Sequence, residues 1–273
     1  FDATNILKKS KYAAITPISL DHQDYLGNSL YQIAFEKLGI LNPKSTIFIN
    51  QQKTNVMKFI KSQLKKRKLN ANIFNTHWKI KSNFYLSNDI RVNLSKLSLL
   101  GSHQLINAGL AIHLARYILK EKFVIEKTEK ALMNCEWPGR LQQIKSGLLN
   151  KKIKKYKNIY LDGFHNIDGM KALIKSLPKI RKILICSFLK NKKYIQMLSN
   201  LSNHFNKIIV VKMNEENSIT EDLLPKYLKL YFANSLTDSF KMINKLSSNQ
   251  TTIYFGGSLY FIGEVIKLNR LKN

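Results

Sequence analysis

From residue 158 onward the chain alternates short apolar runs with amphipathic stretches. NIYLDG (158–163) precedes a helical pattern over 168–178, KILICSF (182–188) precedes one over 191–203, and KIIVVKM (207–213) precedes helical patterns over 219–229 and 235–247. TTIYFGG (251–257) and a closing helix complete the series. Runs this short and rich in Ile and Val are strands, and a helix-length segment after each one forces parallel pairing with crossover helices on the sheet. This half is read as a Rossmann-like α/β domain with a mostly parallel sheet.

The first half is less regular. DYLGNSLYQIAFEKLGI (24–40) sets Leu26, Leu30, Ile33, Ala34 and Leu38 at helical spacing and stops at Gly39. STIFINQ (45–51) is a predicted strand, 54–68 a helix, 71–95 a strand-rich stretch, and 103–119 a long helix that Ser102 can cap. A shorter helix covers 127–135, after which Trp137-Pro138-Gly139 breaks every periodicity. The domain boundary is placed there, giving domains 1–136 and 137–273.

Charge is the compositional outlier: 45 Lys+Arg against 17 Asp+Glu, a formal +28. Arg occurs only at 67, 91, 116, 140, 181 and 270, so the excess is lysine. Nucleic-acid readers favour the arginine fork for bidentate contacts, whereas a chain saturated in Lys, Asn and Ile is what AT-rich codon drift produces. KSQLKKRK (61–68) and NKKIKKYK (150–157) are accordingly read as solvated faces, and nucleic acid is not the expected partner. Cys135 and Cys186 make neither a disulfide framework nor a metal motif, so a reducing, cytoplasmic setting is expected. The expected state is a monomer with no membrane association, since no apolar stretch reaches spanning length. The chain opens on Phe1, which is read as a processed chain or a piece of a longer one.

Several clusters can carry chemistry. Asp21 and His22 lie just before the 24–40 helix, and Glu36-Lys37 lies near its end. Such groups are usually structural, although an imidazole beside a helix start also permits a metal or phosphate site. LDGFHN (161–166) places Asp162, His165 and Asn166 at the carboxyl end of a strand, where open α/β sheets bind ligands; an Asx turn is the plain alternative. Arg140 in WPGRLQ can clamp phosphate or merely tie the junction. GGSLYFIGE (256–264) is a strand-to-helix turn able to offer backbone N–H groups to an anion, and it also looks like many ordinary turns.

In order, FDATN, ITPISLDHQDYLG, IAFEKLGI, HQLINAGLA, WPGRLQ, LDGFHN and GGSLY span nearly the whole chain. This series resembles the folylpolyglutamate synthase and dihydrofolate synthase family of the Mur ligase superfamily. The resemblance implies an α/β chain in which the remainder of a central ATPase domain precedes a Rossmann-like C-terminal domain. It implies an ATP- and magnesium-dependent ligase that phosphorylates a folate carboxylate and lets the amine of L-glutamate attack the acyl phosphate. A carboxylate lacks a leaving group, so ATP supplies one and divalent cations offset the crowding of anions. The acceptor is tetrahydrofolate or dihydropteroate, which the sequence does not distinguish.

By motif, the resemblance assigns His22 to magnesium and Lys37 to a carbamylated ligand, the ammonium becoming an anionic oxygen donor. It assigns Asn107, Arg140 and Asp162 to ATP, with His165 a candidate for positioning the acyl phosphate or glutamate. Ser258 receives no role. Nothing in the chain reads GxxxxGK[ST] or GTNGKGS, the phosphate loop that the family carries upstream of DATN together with two further magnesium ligands. SFLKNKK (187–193) has Asn191 and Lys192 where the family shows an acidic pair. The chain is thus expected to be incomplete by itself and to need an N-terminal part, from a separate partner or a longer protein. Two other readings stay open: a non-catalytic remnant with a basic nucleic-acid-binding surface, and another Mur-type ligase.

Overall fold

A computed structural model describes residues 2–6 and 10–271. Phe1 of the FDATN segment lies outside the described residues. The chain divides into two compact units, one of Phe1–Ser98 with Ser102–Cys135, the other of Leu99–Gly101 with Glu136–Asn273.

In the first unit, β1 (Tyr12–Ile15) is followed by α1 (Gln23–Leu26), α2 (Leu30–Lys37), β2 (Thr46–Ile49), α3 (Thr54–Lys66) and β3 (Ala71–Ile73). The three strands form a parallel sheet in the order β1-β2-β3. A meander of β4 (Lys79–Lys81), β5 (Phe84–Ser87) and β6 (Ile90–Asn93) makes a separate antiparallel sheet, and α4 (Ser102–Leu119) and α5 (Ile125–Met133) complete the unit. The helix expected over 24–40 is interrupted. Gly27 takes φ 98°, and Ser29 and Gln32 form a capping box that starts α2 afresh. Gly27 breaks the ladder, and the box satisfies the N–H groups that the break exposes. Ile33, Ala34 and Leu38 then face Ile47, Ile49, Val56 and Ile60 in one apolar core.

A second core of this unit gathers aromatic rings around α4. The His113 ring stacks on Trp78, with centroids 4.2 Å apart, and its Nδ1 lies 2.8 Å from the Tyr85 hydroxyl. Gly109, one turn earlier on α4, lets Ile80 of β4 approach closely: a Cβ there would sit 2.8 Å from Ile80 Cδ1.

The second unit runs β7 (Gln142–Gln143), α6 (Leu148–Lys152), β8 (Asn158–Asp162), α7 (Ile167–Ser176), β9 (Lys182–Cys186), α8 (Tyr194–Ser202) and β10 (Lys207–Val211). It ends with β11 (Tyr231–Ala233), α9 (Leu236–Leu246), β12 (Thr252–Gly256) and α10 (Leu259–Asn269). The sheet order is β11-β10-β9-β12-β8-β7, parallel throughout except for β7 against β8. Side chains alternate across it. Ile183, Ile185 and Phe255 face α9 and α10 through Phe240, Ile243, Phe261 and Val265, while Leu184, Cys186 and Tyr254 face α7 and α8 through Leu173 and Leu198. Every residue of β9 and β12 is buried, as a strand with both faces covered requires. The α/β class with a mostly parallel six-stranded sheet is thereby established.

Two details differ from expectation. Residues 219–229 are not a helix: Glu221–Leu223 form a single 3-10 turn, and Pro225, lacking an N–H, cannot continue one. Ile219 is fully buried and Leu224 and Leu228 pack on the α8 face, so the periodicity reflects a covering loop. The edge strands β7 and β11 are not legible in the sequence, because two or three residues carry no resolvable alternation.

Candidate functional site

In the first unit, two of the sequence motifs meet. Lys37, at the last position of α2, donates from Nζ to Asp2 Oδ2 at 2.9 Å. Asn5 of the same DATN segment donates to the Glu36 carbonyl at 2.9 Å, and its side chain presses so closely on Gly39 that no Cβ fits there. Burial alone would raise the Asp2 pKa, but hydrogen bonds from Thr4 and Lys37 outweigh it and hold the carboxyl at about 2. Asp2 belongs to the FDATN motif, and the sequence assigns it no role. A short polar segment in the FDATN run carries no periodicity from which its partner could be inferred.

His22 is the residue before α1, in left-handed backbone at φ 52°, and its N–H donates to Asp21 Oδ1 at 2.9 Å. Asn107 lies on α4 and donates to Gln104 Oε1 at 3.2 Å, a bond between neighbouring turns that orients its amide. Among the described residues no group of three or more His, Cys, Asp or Glu side chains could hold a metal ion. Lys37 as an ammonium is committed to Asp2. Among the described residues the donors therefore do not complete a divalent-cation site.

In the second unit, four residues expected at the site gather at the carboxyl ends of β8 and β12. Asp162, at the end of β8, is only 8% exposed and accepts from the N–H groups of Leu141 and Phe164, both at 3.0 Å. Burial pushes its pKa up to about 6, the two N–H groups and the charges of Arg140 and His165 opposing. Arg140 reaches back to the Gly163 carbonyl with Nη1 at 3.4 Å, and His165 Nδ1 lies 3.0 Å from the same oxygen. One carbonyl thus collects a guanidinium and an imidazole. Asn166 caps α7 by accepting from Gly169 N–H at 2.8 Å, so the Asx reading of the LDGFHN segment holds for that residue.

Ser258 precedes α10, is buried, and makes no side-chain cap bond. The turn it occupies abuts the β8 end, because Gly256 pairs with Asp162 in register. A Cβ on Gly256 would run into the Phe164 ring and lie 3.0 Å from the Asp162 carbonyl. Gly257, at φ 96°, would drive a Cβ into the Ser187 carbonyl. The two glycines are what allow β12, β8 and the 187–188 backbone to converge at one point.

No protein-family model matches the chain. A dihydrofolate synthase/folylpolyglutamate synthase of Bacillus subtilis is 27% identical over 296 residues, covering 100% of this chain and 65% of that protein. The dihydrofolate synthetase of Saccharomyces cerevisiae is 26% identical over 294 residues, covering 98% of this chain. Over nearly its whole length the chain is thus similar to dihydrofolate synthases and folylpolyglutamate synthases. The fold agrees: the Mycobacterium tuberculosis folylpolyglutamate synthase complexed with ADP superposes with a TM-score of 0.80 at 21% identity, covering 98% of this chain. Escherichia coli FolC in complex with DHPP and ADP gives the same TM-score at 18% identity. The chain spans less than two thirds of the length of these relatives, 65% of the Bacillus protein and 62% of FolC. No described helix is long and apolar enough to cross a membrane.

Proposed function

We propose that this chain is the larger part of an ATP-dependent ligase that joins L-glutamate to tetrahydrofolate or dihydropteroate through an acyl phosphate. The observation that carries the reading is the convergence of Arg140, Asp162, His165 and the Gly256-Gly257-Ser258 turn at the strand ends of the second unit. This is the place where open α/β sheets take ligands. The relatives support the ligand class: ADP is bound in the Mycobacterium structure, and DHPP with ADP in FolC.

In this reading Arg140 meets phosphate oxygens, since a guanidinium offers parallel donors in the geometry that phosphate accepts. Asp162 has a lone pair left on each oxygen for a ribose hydroxyl, and Asn107 is a further candidate for nucleotide contact. His165, whose Nδ1 lies against the Gly163 carbonyl, is the candidate for positioning the acyl phosphate or the incoming amine. Magnesium at His22 and a carbamylated Lys37 would supply charge neutralisation, and it requires ligands beyond the described residues. It also requires Lys37 to exchange its role as the cation facing Asp2 for that of an anion.

The test is to follow phosphate release from ATP with magnesium, L-glutamate and either reduced folate or dihydropteroate. The chain alone is expected to be inactive, and addition of the phosphate-loop third of a relative is expected to restore turnover. Turnover by the chain alone would refute its incompleteness. Continued inactivity of a folded, assembled mixture would refute the ligase reading.

A further inference from the structure

Arg140 sits between two residues in left-handed backbone, Gly139 at φ 71° and Leu141 at φ 47°. Glycine adopts this region freely; leucine does so at a cost of about 1–2 kcal/mol. Something must hold Leu141 there. Its side chain is buried in the apolar cluster that also holds Phe164, Leu184 and Tyr254, which fixes the far end of the residue. Its N–H is fixed by Asp162 Oδ2 at 3.0 Å, while Asp162 Oδ1 takes the Phe164 N–H at the same distance. The Gly163 N–H donates to the Gly139 carbonyl at 2.7 Å, and the Gly139 N–H to Gln142 Oε1 at 3.0 Å. Immediately beyond Leu141 the chain enters β7 and is zipped against β8.

We infer that Asp162 is a positioning residue whose carboxylate staples the 139–141 turn to the end of β8 and so sets the direction in which Arg140 is presented. The two oxygens do different things. One holds the strand's own exit at Phe164, and the other reaches across to the strained residue beside Arg140. A neutral amide cannot replace them, because an Asn at this position would present an N–H group to one of the two N–H donors. The Arg140 guanidinium, with only a long 3.4 Å bond to Gly163 among the described residues, is oriented by this turn and keeps donors for a ligand. The consequence for ligands rests on the proposed role of Arg140; the staple itself does not.

The test needs no ligand, so its outcome is independent of whether the ligase reading stands. In the wild-type chain, proton NMR should show the Leu141 and Phe164 amides titrating together with a single midpoint. In Asp162→Asn neither should titrate. Hydrogen exchange at 139–141 and tryptic cleavage of the Arg140–Leu141 bond should both rise by about tenfold or more in that variant, as loss of a charge-assisted bond implies. Cleavage after Lys193, in the same unit, should stay unchanged. Arg140→Ala should leave the exchange of 139–141 as it is. The inference is overturned if the two amides titrate separately or not at all in the wild type. It is equally overturned if Asp162→Asn leaves the turn's exchange unaltered, or raises it no more than that of β9 and β12. Should the variant fail to fold, the wild-type titration alone decides.

Discussion

Lys37 and Asp2, thirty-five positions apart in sequence, form an ion pair of 2.9 Å that fastens the DATN segment to the end of α2. The lysine side chain is about a third exposed and the aspartate nearly buried, at 35% and 13%. The pair is therefore screened on one side only.

Replacing Asp2 by Asn is expected to destabilise the first unit by about 0.5–1 kcal/mol, the upper range for a partly exposed pair. The sign of the pH dependence follows from a folded pKa of about 2 against 3.8 for the free side chain. The contribution is present above pH 3.8 and is lost as pH falls toward 2. Urea denaturation of wild type and Asp2→Asn at pH 6 and pH 2.5 tests this: the difference should be smaller at the lower pH, where the loss has begun but is not complete.

His113 and Asp162 should give the two units opposite responses to acid. Burial, assisted by the charges of Arg116 and His77, holds the His113 pKa near 4 against 6.5 when free, so unfolding takes up a proton between those values. The first unit then gains stability as pH rises from 4 to 6.5. Asp162 is raised to about 6 from 3.8, so the folded form binds the extra proton and the second unit loses stability over that rise. Each effect is on the order of 3 kcal/mol at most. Hydrogen exchange resolved to α4 and to β8, corrected for intrinsic rates, should show slopes of opposite sign.

Gly256→Ala should cost about 1–3 kcal/mol, the range for overpacking, because neither the Phe164 ring nor the Asp162 carbonyl has room to retreat. Gly263→Ala, where nothing lies near the added carbon, is the internal control and should be neutral or slightly stabilising. Thermal melts of both variants check the contrast.

A chain beginning at Glu136 should fold alone with a cooperative transition. The second unit holds its complete six-stranded sheet and apolar cores on both faces. A sigmoidal urea curve with native-like near-ultraviolet dichroism is the expected result, and a gradual one would refute it.

Much of this architecture was legible because its signals are local. β8, β9, β10 and β12 are dense in Ile, Val, Leu and aromatic residues, and the helices between them show one apolar face each. Arg140, Asp162 and His165 could be nominated from motif order and from their place after a strand, and they do lie together. What escaped were relationships set by tertiary partners. The left-handed Leu141 is invisible in a sequence that shows only a leucine, since its conformation is imposed by Asp162 and the core. The capping box at Ser29 and Gln32 was present in the letters, yet the apolar period running through Gly27 concealed it. The false helix over 219–229 arose in the same way, from buried residues whose spacing is decided by what they cover.

The position of β12 has a consequence for biosynthesis. It lies between β8 and β9, pairing with both, and β8 does not pair with β9 directly. As the chain emerges from the ribosome, β9, β10 and β11 can associate early, but the piece formed by β7 and β8 has nothing to join it to them until Thr252–Gly256 appears. The second unit must wait, with half of its sheet unzipped, for its last strand. Chaperone demand, and the damage done by a premature stop codon, should therefore fall on this unit late in translation, when a single five-residue strand is inserted.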